Sequence, residues 1–225
     1  MAGENSSSLT IVHKSANLRQ TVALALRAAI ISGEMEAGGV YSAPTLGKRF
    51  GVSPTPVREA MLDLVKEGLV VPLPNKGFRV TEVSDSDLDD ITRIRLLIEP
   101  PTVRQVVPII PKEDLGGLLT LAQAIVDTAA AGDLIGYTEA DRRFHMEILE
   151  YSGNRRLVDI ISELRAHTRL LGLAPLVKNG QLKIMAREHV ELVELIGAGK
   201  AAEAEELMVR HIGHVRSEWA AHTEL

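Results

Sequence analysis

The stretch that most restricts the fold of this chain is "FGVSPTPVREAMLDLVKEGLV", residues 50–70. Before it, "APTLGKRFGV" reads as a short helix with Leu46 and Phe50 at i and i+4, which Gly51 can end by turning left-handed. After it, Ser53 or Thr55 can cap a new helix, and Pro54 and Pro56 are tolerated only in a first turn. Val57, Met61, Leu64 and Val65 then line one apolar stripe, and Gly68 stops the helix. Two short helices joined by a tight Gly-containing turn form a helix-turn-helix.

The flanks extend this unit. Leu18–Ser32 has apolar residues at Val22, Leu26, Ala29 and Ile30, a helical period, with Gly33 as its stop. "GEMEAGGVYS" reads as a Gly-rich connector. Downstream, strands are expected at Leu69–Leu73 and Phe78–Val83, around a "PNKG" turn that carries Lys76 at its tip and leads to Arg79. Residues 15–83 are thus expected to be a winged helix-turn-helix of three helices plus a β-hairpin wing, behind a flexible polar tail at 1–14.

Such a domain reads DNA with the first turn of its second motif helix. Thr55 and Arg58 stand there opposite the apolar stripe; Arg can bond bidentately to guanine, and Thr can reach base or phosphate. Lys76 and the Gly77 backbone are placed for phosphate or the minor groove, and Lys48 and Arg49 for phosphate. The charge split agrees: residues 1–83 hold nine Lys/Arg against seven Asp/Glu, while 84–225 hold sixteen against twenty-three. Short helix pairs also occur in cores and protein-binding modules, where Arg58 would be an ordinary solvated residue.

From Asp85 onward the pattern is helical. Ser84 is a candidate N-cap with acidic residues in the first turn behind it, and Pro100–Pro101 are expected to kink or break that helix. Five further helical segments follow, at 111–132, 133–153, 154–173, 180–199 and 200–222, with the short connections of an antiparallel bundle. The expected fold class is mainly α: a winged helix-turn-helix joined to an all-α antiparallel helical bundle spanning 84–225.

Four side chains in that bundle call for a partner. At about 100° per residue, Asp141 and His145 share a face with Tyr137, Phe144 and Ile148. His189 lies amid Leu182, Met185, Leu192, Val193 and Ile196, and His211 beside Ala204, Leu207, Met208 and Val215. His214 sits at the edge of that last face. Burying a carboxylate and three imidazoles costs several kcal/mol unless something satisfies them. A divalent metal does so: the donors suit Zn foremost, and Ni, Mn or Fe, with two ligands at i,i+4 on one helix. The other reading pairs Asp141 with His145 or an Arg and leaves the remaining histidines as satisfied core residues. The chain has no cysteine, so thiolate sites and disulfides are excluded and a reducing cytoplasm is expected. No stretch reaches the roughly 18 apolar residues needed to span a bilayer, and no membrane partner is expected.

"GVSPTPVREAMLDLVKEGLV" followed by "PNKGFRV" closely resembles the GntR family of bacterial transcription regulators, over residues 18–83. The resemblance implies operator binding as a homodimer, with DNA contacts at Thr55, Arg58 and Gly77. Pro54 and Pro44 depart from it, since arginine (or glutamate at the latter) often stands there. "IRLLIEP", "DRRFHMEILEYSGNRRL", "REHVELVELI" and "AEELMVRHI" look like the FCD effector domain of the FadR-type branch, over about 88–220. That likeness implies a divalent metal on Asp141, His145, His189 and His211, with a small carboxylate effector beside it. Arg95 matches a frequent pocket arginine suited to a carboxylate. Asn154 fits a helix-start motif, as an N-cap first and a pocket contact second. His167 lines the pocket or is a satisfied core residue. Pro101 interrupts a helix that usually runs on in the family.

These features point to a regulator, a repressor in the family's usual manner, whose operator affinity follows a carboxylate bound next to a metal. A metal-dependent enzyme with an attached nucleic-acid-binding domain is the rival, weakened because no well-placed general base or nucleophile accompanies the ligands. A third reading makes the metal a structural staple.

Overall fold

The computed structural model describes residues 13–82, 84–168 and 180–220, with side chains over 18–82, 84–165 and 180–214. Helix α1 (His13–Ile31) begins inside the expected tail, so His13 and Lys14 are already helical. Strand β1 (Val40–Tyr41) follows, then α2 (Ala43–Phe50) and α3 (Pro54–Lys66). Ser42 caps α2 by accepting a hydrogen bond from the Thr45 amide, and Gly51 closes it in the left-handed region at φ 67°. Pro54 occupies the first position of α3, where its missing N–H costs nothing.

β2 (Val70–Leu73) and β3 (Gly77–Val80) make the hairpin wing, turning at Pro74–Asn75–Lys76 with Asn75 at φ 60°. β1 adds to the other edge of β3, pairing Val40 with Arg79 and Tyr41 with Phe78, so the sheet runs β1-β3-β2 and is antiparallel throughout. The expected connector thus contains a strand. Two residues are too short to show a period of two, and β1 exists only because β3 offers it an edge. Leu26, Leu46, Val57, Met61 and Leu64 form the buried centre of this unit, closed by Val70, Phe78 and Val80.

The second unit starts with α4 (Asp85–Val106). Ser84 and Asp87 form a reciprocal capping box at its start. The expected break at Pro100–Pro101 does not occur, and α4 runs through both prolines. Each proline removes one amide donor, and an interior proline typically costs about 3 kcal/mol. Packing outweighs that cost: Glu99, Thr102, Val103 and Val106 are buried around the pair, and α4 lies along the helix Ala201–Ala220. A 3-10 turn (Lys112–Asp114) leads into α5 (Leu115–Ala131), α6 (Leu134–Glu150) and α7 (Arg155–Thr168). Helices α8 (Gln181–Gly197) and α9 (Ala201–Ala220) complete the bundle. Helix α5 packs on α6 and α8, and α8 on α9. Val103, Ile125, Phe144, Ile148, Met185, Leu192 and Leu207 fill the core between them.

The units touch where α1 meets α6. Ile31, at the end of α1, is buried in the bundle core. Beside it lies a cavity of about 490 Å³, walled by Leu24, Arg27 and Leu69 on one side and by Ile135, Glu139 and Arg142 of α6 on the other. Among the described residues, no helix is long and apolar enough to cross a membrane.

Candidate metal centre and nucleic-acid interface

Helical spacing puts Asp141 and His145 one turn apart on α6, and the bundle brings His189 from α8 and His211 from α9 to meet them. One ligand atom from each lies within 4.8 Å of every other. His189 Nε2 stands 3.2 Å from Asp141 Oδ1 and 3.2 Å from His145 Nε2, and His145 Nε2 is 3.6 Å from the same Oδ1. The three imidazoles are buried; the Asp141 side chain keeps 18% of its surface exposed, so the cluster opens on that side. The buried Phe144 ring packs nearly perpendicular to both His145 and His189 and covers that side of the cluster.

Hydrogen bonds behind the rings decide which nitrogens face inward. His189 Nδ1 donates to the Ala186 carbonyl at 3.2 Å, and His211 Nδ1 donates to Glu188 Oε2 at 2.7 Å. Both rings turn Nε2 towards the cluster. These two nitrogens, an Asp141 oxygen and the His145 ring therefore converge on one point. A cation accepts from all four at once, and the oxygen–nitrogen set suits a borderline divalent ion. The residues present fit such a group.

The charge state is also what a ligand set requires. Burial lowers the pKa values of His145 well below, and of His211 below, the ordinary histidine value, which keeps them neutral. Burial opposes ionisation of Asp141, but His145, His189 and Arg165 outweigh it and hold the carboxyl well below the usual range. Arg165 Nη1 donates to Asp141 Oδ2 at 3.1 Å and, through Nε and Nη2, grips Glu99. Glu99 is fully buried and takes a second guanidinium, Arg95 Nε, at 2.6 Å. A chain Arg95–Glu99–Arg165–Asp141 thus ties α4, α7 and α6 to the cluster. Burial opposes its ionisation, yet the two arginines bring the Glu99 carboxyl down to about 2.

These contacts define the surroundings of the cluster. The Arg95 guanidinium is buried, and its Nε is held by Glu99. Asn154 is exposed and caps α7, its Oδ1 accepting from the Leu157 amide at 3.2 Å. His167 belongs to the α7 backbone, and its side chain lies outside the described residues, as does all of His222. Sequence reading missed Glu99, Arg165 and Glu188. For Glu99 a signal existed, its i,i+4 spacing from Arg95; Glu188 and Arg165 meet partners on other helices that no local pattern announces.

At the other end, Thr55 and Arg58 are exposed on the first turns of α3, and Lys48, Arg49 and Lys76 are exposed around them. Arg49 is shared with Glu34, to which it donates at 2.9 Å. Arg58, Pro44, Asn75, Lys76 and Gly77 line one groove of about 510 Å³ between α3 and the wing. Gly77 has a structural duty as well: φ is +122°, and a Cβ would stand 2.4 Å from the Tyr41 carbonyl oxygen. Gly77→Ala should therefore cost about 1–3 kcal/mol, as measured by urea denaturation of the full chain. An unchanged midpoint would show that β1 and the wing separate freely.

A helix-turn-helix with a basic-tipped wing, joined to a helical bundle holding a cluster of metal-type donors, is the architecture of a DNA-binding regulator. The family models agree: "Bacterial regulatory proteins, gntR family" matches residues 18–80, and "FCD domain" matches 90–214. The chain belongs to the GntR family of bacterial regulators that carry an FCD domain, and it is a DNA-binding transcriptional regulator rather than an enzyme. The transcriptional regulator McbR of Escherichia coli is 30% identical over 176 residues, covering 77% of this chain and 78% of that one. The gluconate operon transcriptional repressor of Bacillus subtilis is 30% identical over 138 residues, 61% of this chain and 54% of that one. Among solved structures, E. coli McbR/YncC has the same fold, with TM-score 0.69 at 24% identity over 92% of this chain and 99% of that one.

Proposed function

We propose that this regulator holds a divalent metal, zinc foremost, on Asp141, His145, His189 and His211, and that a small carboxylate effector joins it there and changes operator affinity. The observation that supports this most is the convergence of four ligand atoms within 4.8 Å, three of them on buried rings. When bound, the ion supplies open Lewis-acid positions that a carboxylate can take. Asp141 and His145 orient that side of the site, and Phe144 covers its back. Arg95 and Arg165 are engaged by Glu99, so they draw an anion towards the site by their field unless Glu99 yields.

Helix α6 links this event to DNA. Its inner face carries Asp141 and His145; the adjoining face carries Glu139 and Arg142, which together with Thr138 line the cavity against Leu24 and Arg27 of α1. A shift of α6 is therefore felt by the winged helix. The effector acts only through its different affinity for the arrangements that do and do not fit the operator. The protein works as a cytoplasmic homodimer and as a repressor in this reading; one relative's name calls that relative a repressor.

The test is retardation of DNA from the protein's own promoter region, with and without chelator and with a panel of small carboxylates. Release by one carboxylate, lost on chelation, supports the reading. Chelation that lowers the melting temperature but leaves the carboxylate response intact makes the metal a staple. Arg58→Ala in the same assay should weaken specific binding by about 1–3 kcal/mol, roughly 5- to 150-fold, at constant salt. Undiminished operator affinity would remove α3 from the recognition surface.

A further inference from the structure

We infer that Glu188 is a positioning residue for the metal cluster: it fixes the tautomer of His211 and is itself locked in place by His214. This rests on the metal reading above and deepens it.

Glu188 precedes the ligand His189 on α8, so one helix turn delivers a ligand and, on an adjoining face, a carboxylate that reaches across to α9. There it meets two histidines at i and i+3. His211 Nδ1 donates to Oε2 at 2.7 Å, and His214 Nδ1 lies 2.9 Å from Oε1. The carboxylate is buried, and its two oxygens are committed to different rings. That commitment has three consequences. Oε2 can only accept, so the proton of neutral His211 stays on Nδ1 and the Nε2 lone pair faces Asp141, His145 and His189. The charge behind the ring makes that lone pair a better donor to a cation. His214, holding Oε1, stops the carboxylate from rotating away from His211 or swinging inward to become a ligand itself.

A plain structural tie between α8 and α9 would use the same contacts, so the test separates the two. In Glu188→Gln the amide keeps the size but can present N–H to the ring, which permits the opposite tautomer. The full-length protein, stripped of metal, is studied by two-bond 15N–1H correlation of the histidine rings. His211 is expected to be protonated on Nδ1 in the parent and to become mixed or Nε2-protonated in E188Q. Zinc affinity, measured by competition with a chromophoric chelator, should fall 10- to 100-fold in E188Q. His214→Ala should give a smaller fall in the same direction, and Glu188→Asp should restore part of the Nδ1 tautomer.

A parent protein that binds no zinc overturns the metal reading, while the ring spectra still judge the role of Glu188. An unchanged His211 tautomer in E188Q, with zinc affinity within twofold of the parent and only the melting temperature lowered, overturns the positioning role and leaves a helix tie.

Discussion

Glu99→Gln should lower the stability of the helical bundle by about 3–5 kcal/mol, the usual effect of removing one partner from a buried ionic group. Glu99 is the anion that the Arg95 and Arg165 guanidiniums share, all three side chains at 5% exposure or less. The amide keeps the shape but removes the negative charge between the two guanidiniums, leaving Asp141 as the carboxylate on Arg165. At about 2–4 °C per kcal/mol for a chain of this size, the melting temperature should fall by about 6–20 °C. The effect has a defined pH signature. The Glu99 carboxyl is lowered from an ordinary 4.5 to about 2, so its stabilisation is complete above pH 4.5 and disappears as pH falls towards about 2. At about 1.4 kcal/mol per unit, roughly 3 kcal/mol is at stake, and the gap between parent and variant should narrow over that interval. Urea denaturation at pH 7 and below pH 4 measures both quantities. A pH-independent gap would mean that Glu99 acts by packing rather than by charge.

His189→Ala with His211→Ala should reduce bound metal to background in protein purified without chelator. The pair removes two of the four converging donors, from two different helices, and the remaining Asp141 and His145 sit one turn apart on α6. Two ligands on one helix cannot surround an ion. Added zinc should no longer raise the melting temperature of the variant. In the parent, zinc at a thousandfold excess over its dissociation constant adds about 4 kcal/mol of stability. Elemental analysis and a zinc titration of the thermal transition are the measurements. Full stoichiometric metal in the double variant would refute the ligand set.

The helix-turn-helix was legible because its signals are local. Gly51 takes the left-handed φ it was expected to take, and Pro54 falls at the first position of α3. The hairpin turn at Asn75–Lys76 was legible for the same reason, whereas β1 was not, since a two-residue strand is defined by its partner. Pro100 and Pro101 misled in the opposite direction. Their local effect is real, but α4 is held straight enough to continue by what packs around it.

The ligand set divides along the same line. Helical period placed Asp141, His145, His189 and His211 on inward faces, because amphipathic periodicity is written in residue order. What period cannot express is the meeting of different helices. That Arg165 of α7 binds both Glu99 and Asp141, and that Glu188 of α8 backs His211 of α9, follows from bundle geometry. Arg95 shows the consequence: by sequence it is an arginine suited to an anion, and in the fold Glu99 already occupies it. The sequence determined the class of fold, the exposed positions of Thr55 and Arg58 on α3, and the chemistry of the four inward donors. The tertiary structure decided which nitrogen of His189 and His211 faces the cluster, which charges are already paired, and that α6 carries two of the clustered donors on one face and meets the winged helix on the adjoining one. Those are properties of distances between helices, and a desolvated charge answers to its nearest neighbour in space, not to its neighbour in the chain.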